Sequence, residues 1–173
     1  MYNPNIHKRK SIRLKEYDYS QEGYYFITIC TQGRRKMLSE IKNENCRNGF
    51  YARPKITLYK FGKIIKDEIE KINEKYENIK INEYIIMPNH IHMIIEIRAG
   101  TRPAPTLNDI IRNFKSMTTL RYIKNIKKNF EKRVWQRNYY EHIIRNEKEL
   151  YATIEYIKYN PINWDNDPLN KMS

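Results

Sequence analysis

The chain of 173 residues is short of cysteine and of acid, and it has no long apolar run. Its two cysteines, Cys30 and Cys46, stand apart, and neither belongs to a C-x-x-C pair. That argues against a thiolate zinc site and against a disulfide framework. No stretch of 18 apolar residues could cross a bilayer, and no N-terminal apolar segment has the form of a signal peptide. A cytoplasmic protein is expected, nucleoid-associated if its partner is DNA. Internal repeats and low-complexity tracts are also missing. Asp and Glu number 20 against 33 Lys and Arg, a formal charge of +13. Such an excess attracts polyanions, with nucleic acid the default partner. A coding bias towards Lys, Asn, Ile and Tyr produces the same excess, and the 15 tyrosines display that bias. A membrane surface fits less well, because no stretch joins a strong apolar face to a Lys-rich one without interruption.

What is present is a pattern of strands and helices long enough for one domain with a core. Residues 1–16 are polar and basic and read as an arm; residues 17–165 read as the domain and 166–173 as a C-terminal tail. Tyr24 to Gln32 is rich in aromatic and β-branched residues, the signature of a strand. A polar, turn-rich segment follows and is expected to return to a short strand near Tyr51. Leu58, Phe61, Ile64, Ile65, Ile69 and Ile72 recur at helical spacing. "EYIIMPNHIHMIIEI" (Glu83 to Ile97) predicts two strands broken at Pro88-Asn89. A Gly/Pro loop from Arg98 to Pro105 leads to a second helix, capped by Thr106 or Asn108. Its expected buried stripe is Ile110, Ile111, Phe114, Met117 and Leu120, with Ile123 drifting off it. Arg133 to Arg145 reads as a short strand and turn, and Asn146 to Asn160 as a third helix stopped by Pro161. This order predicts an α+β sandwich with a mainly antiparallel sheet and packed helices, ferredoxin-like or of the RNA-recognition-motif type.

Residues i and i+2 of a strand share a face, so His90 and His92 project side by side while Ile91, Met93 and Ile95 point the other way. Two such imidazoles can ligate one divalent metal. A third ligand has to come from elsewhere in the fold, and an oxygen donor would admit Mg or Mn. On spacing alone the pair also fits two buried rings with ordinary hydrogen-bond partners. In the third helix, Leu150, Ile154, Ile157 and Pro161 form the buried stripe. Tyr156 and Asn160, four apart, share one flank of it, and Tyr159 points nearly opposite the stripe. A rim tyrosine with no chemistry is the plainer account of Tyr156.

Together, "MPNHIH", "WQRNYYEHIIRNEKEL" and "YIKYNP" resemble the single-tyrosine HUH transposases, and the branch they look like is the REP-associated tyrosine transposases. The resemblance runs from about Tyr17 to Trp164. It implies a ferredoxin-like fold and cleavage of single-stranded DNA by a tyrosine nucleophile without ATP. By position it assigns His90 and His92 to a metal, Mg or Mn, Tyr156 to the nucleophile, and Asn160 to the helix residue that completes the metal site. His142 is a candidate supporting group behind the site, or equally a strand-end histidine bonded to backbone. The resemblance also implies hairpin DNA with a short single-stranded guide as the partner. Candidate phosphate contacts are Lys8, Arg9, Lys10, Arg13 and Lys15 in the arm, and Arg112, Lys115 and Arg137 in the domain, with Arg133 and Arg145 also able to line a groove. Tyr139 and Tyr140 are candidates for base stacking. Monomer and homodimer, with the tyrosine acting in cis or in trans, both stay open. So do two other readings: a non-catalytic hairpin-binding module, and a metal hydrolase that uses water.

Overall fold

The computed structural model describes residues 21–42, 54–100, 105–127 and 133–170. The basic arm, Cys46 and the expected strand near Tyr51 lie outside the described residues. The elements run β1 (Gly23–Cys30), β2 (Ser39–Lys42), β3 (Lys55–Leu58), α1 (Lys60–Lys75), β4 (Ile79–Ile86), β5 (His90–Ile97), α2 (Leu107–Asn125), β6 (Tyr140–Ile144) and α3 (Glu147–Tyr159). Four strands form one antiparallel sheet in the order β4-β5-β1-β6, and β2 pairs with β3 as a separate hairpin. Taken in chain order, the four sheet strands and their crossovers reproduce the βαββαβ arrangement of ferredoxin-like folds, as expected from sequence.

The alternation of β1 and β5 builds two unlike faces. Tyr25, Ile27, Ile29, Ile91, Met93 and Ile95 point to one side, where they pack against Phe61, Ile65 and Ile69 of α1 and Ile110, Ile111 and Phe114 of α2. This is the main core. Gly62 lets α1 approach: a Cβ there would stand 2.2 Å from the Leu38 carbonyl oxygen. On the other side lies a much smaller cluster, Ile94 and Ile144 against Ile157, flanked by Phe26, Leu150 and Ile154. α3 therefore covers part of the second face only, and the histidines sit beside that cover.

Helix α2 departs from the expected stripe. Its buried residues are Leu107, Ile110, Ile111, Phe114, Thr118 and Tyr122, whereas Met117 and Leu120 are 39% and 58% exposed. The physical reason lies in Thr118. Its hydroxyl donates to the Phe114 carbonyl at 2.7 Å and accepts from the Trp135 indole at 3.0 Å, so a polar residue is fully satisfied in the core. The helix turns that face inward, and Phe61, Tyr122 and Trp135 fill the volume. The cap is Thr106, whose hydroxyl accepts from the Asp109 amide at 3.2 Å.

Helix α3 starts at Asn146, whose side chain accepts from the Glu149 amide at 2.9 Å. Ile157 is fully buried, and Leu150 and Ile154 are partly so. Beyond Tyr159 the chain turns through buried Pro161 into a short 3₁₀ helix, Trp164–Asn166.

Candidate active site

The turn between β4 and β5 fixes where the histidines begin. The Pro88 carbonyl accepts from the Met37 and Leu38 amides, both at 3.0 Å, and the Met87 amide donates to the His90 carbonyl at 2.9 Å. β5 then pairs with β1, setting Cys30 opposite His90 and Thr28 opposite His92. Both rings are buried and face the α3 side, with their Nε2 atoms 3.0 Å apart.

The neighbours dictate what those nitrogens present. Asn89 donates through its amide nitrogen to the Leu169 carbonyl at 2.7 Å, which orients its oxygen towards His90 Nδ1 at 2.8 Å. His90 Nδ1 must then carry the proton, and its Nε2 offers a lone pair. His92 Nδ1 meets the Thr28 hydroxyl at 2.8 Å. A hydroxyl accepts as well as donates, so His92 can offer its Nε2 lone pair too. Burial pushes both imidazoles down to about 3, so they stay neutral, the state a metal needs.

Two further oxygen donors converge there. Asp167 Oδ2 lies 3.7 Å from His90 Nε2, and the ligand atoms of His90, His92 and Asp167 all lie within 4.8 Å of one another. Asn160 is buried with its side chain against His90 and Tyr156. Asp167 Oδ2 and Asn160 Oδ1 are buried and have no hydrogen-bond partner among the described residues. Orphaned oxygens beside two lone-pair nitrogens form a donor set that suits a divalent cation.

Tyr156 stands over this cluster. Its ring contacts His92 edge-on at 5.2 Å and Phe26 at 5.8 Å, and its hydroxyl lies 3.4 Å from His92 Nε2. Phe26 stacks on His92 at 5.2 Å. Burial raises the phenol above its usual pKa and the Asp167 charge adds to this, while the Asn160 amide works the other way. Tyr156 and Tyr159 are almost equally exposed, at 49% and 48%, so direction rather than depth separates them.

Asp167 is the site residue that sequence reasoning missed, because residues 166–173 read as a tail. Here residues 167–169 are stitched into the domain. Arg34 donates to the Pro168 carbonyl at 3.0 Å, Asn89 holds Leu169, and the Leu169 amide donates to Asp167 Oδ1 at 2.7 Å. That leaves Oδ2 free to turn to the histidines. The only sequence signal was a carboxylate shortly after the Tyr156 helix, in "NPINWDNDP".

The other singled-out residues are scattered. His142 Nε2 pairs with Glu149 Oε1 at 2.5 Å, and Glu149 Oε2 accepts from the Arg145 amide at 2.8 Å. The pair ties β6 to the first turn of α3, the helix that carries Tyr156. Arg112 is exposed and paired with Asp109 at 2.9 Å. Arg137 is exposed, and Tyr139 and Tyr140 line a cavity beside Tyr156. Lys115 differs from expectation: its half-buried ammonium is engaged by the carbonyls of Gln136, Arg137 and Asn138 at 3.0, 3.4 and 3.0 Å. It braces a loop instead of projecting as a free phosphate contact. Lys8, Arg9, Lys10, Arg13 and Lys15 fall outside the described residues. Among the described residues, no helix is long and apolar enough to cross a membrane.

Comparison with known proteins places this arrangement. The family model described as "Transposase IS200 like" matches residues 19–160. An uncharacterized protein of Haemophilus influenzae is 41% identical over 97% of this chain and 96% of its own. A second protein of that species, provisionally named a REP-associated tyrosine transposase, is 30% identical over 84% of this chain and 73% of its own. Among solved structures, a REP-associated tyrosine transposase bound to a REP hairpin superposes with a TM-score of 0.59 at 20% identity, covering 88% of this chain and 73% of that one. The family match spans the sheet, both histidines, Tyr156 and Asn160, and on that breadth the chain belongs to the IS200-like tyrosine transposases.

Proposed function

We propose that the protein is a metal-dependent enzyme that nicks single-stranded DNA at hairpin or palindromic sites and transfers strands through a 5′-phosphotyrosine on Tyr156. One observation carries the reading: the Tyr156 hydroxyl lies 3.4 Å from His92 Nε2, at the rim of a buried donor set of two imidazoles, a carboxylate and an amide.

The Tyr156 oxygen attacks phosphorus and forms a new P–O bond. The bond from phosphorus to the 3′ oxygen breaks, and that oxygen leaves as a 3′-OH, so the proton lost by the phenol is balanced by the one the 3′ oxygen gains. One phosphodiester replaces another, so no nucleotide cofactor is consumed. Attack of a 3′-OH on the phosphotyrosine reverses the step and joins strands. A divalent ion, Mg or Mn, held by His90, His92, Asp167 and Asn160 would polarise a phosphate oxygen and offset the Asp167 charge, which adds to burial in keeping the phenol protonated. Asn89 and Thr28 orient the two imidazoles, and Phe26 keeps the Tyr156 ring edge-on to His92. The constellation is complete within one chain, which favours cis action by a monomer. His142, through Glu149, holds the start of α3 in place. The arm lysines and arginines, with Arg112 and Arg137, supply phosphate contacts, and the relative bound to a REP hairpin supports hairpin DNA as the partner.

The test is incubation with hairpin-bearing single-stranded DNA and Mn²⁺. A covalent protein–DNA adduct is expected, absent in Tyr156→Phe and retained in Tyr159→Phe. Adduct persisting in Tyr156→Phe would reject the nucleophile, and cutting without any adduct would replace it by water.

A further inference from the structure

A cavity of about 410 Å³ opens beside the donor set, between the α3 face of β1 and the segment leading into β6. Its volume lies within the ~300–1,000 Å³ of small-molecule sites, room for one nucleotide. Its walls include Phe26, Tyr139, Tyr140 and Tyr156, and among its polar lining residues are Gln136 and Asn138. Aromatic walls with a few polar groups are what a flat, edge-functionalised ring requires. Neither carboxamide side chain makes a hydrogen bond among the described residues, so both are available to a ligand.

The wall that carries them is held rigidly. The Gln136 amide donates to the Cys30 carbonyl at 2.9 Å, the Gln32 amide to Val134 at 2.8 Å, and Thr31 bridges Trp135. From behind, Lys115 engages all three carbonyls of residues 136–138, and its ammonium sits 5.5 Å from the Tyr139 ring centre. Of the three braced residues, Gln136 and Asn138 line the cavity.

We propose that this cavity receives a nucleobase adjacent to the scissile phosphate, that Gln136 and Asn138 read its edge, and that Lys115 is the positioning residue for them. The proposal rests on the nicking reading for the word adjacent, but base binding itself does not. A carboxamide presents a donor beside an acceptor, complementary to adenine, so adenine is the expected base.

Two arms separate the ideas. In the first, the full chain without metal is titrated with the four deoxynucleoside 5′-monophosphates and followed by amide NMR shifts of residues 136–140. dAMP is expected to bind about tenfold tighter than the weakest of the four, within the range of one base-edge contact. Gln136→Ala with Asn138→Ala should abolish that preference. Lys115→Met should flatten it while leaving Mn²⁺ affinity, read by EPR, unchanged. Equal affinities for all four nucleotides, or shifts confined to other surfaces, would overturn the proposal. In the second arm, adducts are collected from a randomised single-stranded pool and sequenced. One position beside the junction should be non-random, and random in the double variant; randomness on both sides of the junction in the wild type would overturn the adjacency. Failure to form any adduct would sink the nicking reading, with the first arm still deciding whether the cavity binds a base.

Discussion

The two faces of β5 are made by alternate residues of one strand, and they behave as different materials. Ile91, Met93 and Ile95 are sealed in a core shared with two helices. His90 and His92, interleaved with them, are equally buried but meet polar atoms: Asn89, Thr28, Asn160 and Asp167. The first face gains from losing water. The second holds lone pairs out of water at a cost, and that cost is what makes it receptive to a cation. The packed face thus holds its polar neighbour in place, because the backbone is common to both.

Substitutions on the two faces should separate chemistry from stability. Tyr156→Phe is expected to lower adduct formation by about a thousandfold or more while leaving the melting temperature near wild type. A parallel fall in melting temperature would mean that α3, not the phenol, had been lost. Met93→Ala works from the opposite face. It should cost about 3 kcal/mol in urea unfolding through the cavity it leaves, with Mn²⁺ affinity of the folded fraction preserved.

Acid tests the polar face alone. His90 and His92 titrate near 3 when folded and near 6.5 when unfolded. Below pH 6.5 the unfolded chain therefore binds protons that the folded chain refuses, and stability falls as pH drops towards 3. The metal-free protein should lose about 2 kcal/mol per histidine between pH 7 and pH 5, and His92→Gln should remove about half of that slope. A flat profile would mean the rings are wetter than the fold places them.

Asn89→Ala is a smaller lever. It frees the His90 tautomer and releases Leu169, and with it Asp167, so Mn²⁺ affinity by EPR should fall about tenfold. The smallest effect belongs to His142→Ala on β6, where the partly exposed contact to Glu149 at the start of α3 is lost. The melting temperature should stay near wild type, with a modest fall in adduct rate if the pair positions α3.

Legibility followed the same division. Alternation in "HIHMIIEI" was enough to put both histidines on one side, because strand geometry is local. The α2 stripe was misread at Met117 and Leu120, since nothing local shows that Thr118 would find Trp135 and become a core residue. Lys115 read as a free cation because its three carbonyl partners come from a loop about twenty residues on. Asp167 was invisible as a site residue: it arrives by a turn and a 3₁₀ helix, which have no period, and is aimed by Arg34 and Asn89 from distant loops.

The sequence by itself determined the strand that carries the imidazoles, the helix that carries Tyr156 and Asn160, and the basic charge, because these depend on periodicity and composition. Only the tertiary structure decided which oxygen joins the imidazoles, which lysine braces the cavity wall and where the phenol points. Those outcomes depend on loops whose conformation is set by contacts far along the chain, and no local pattern encodes them.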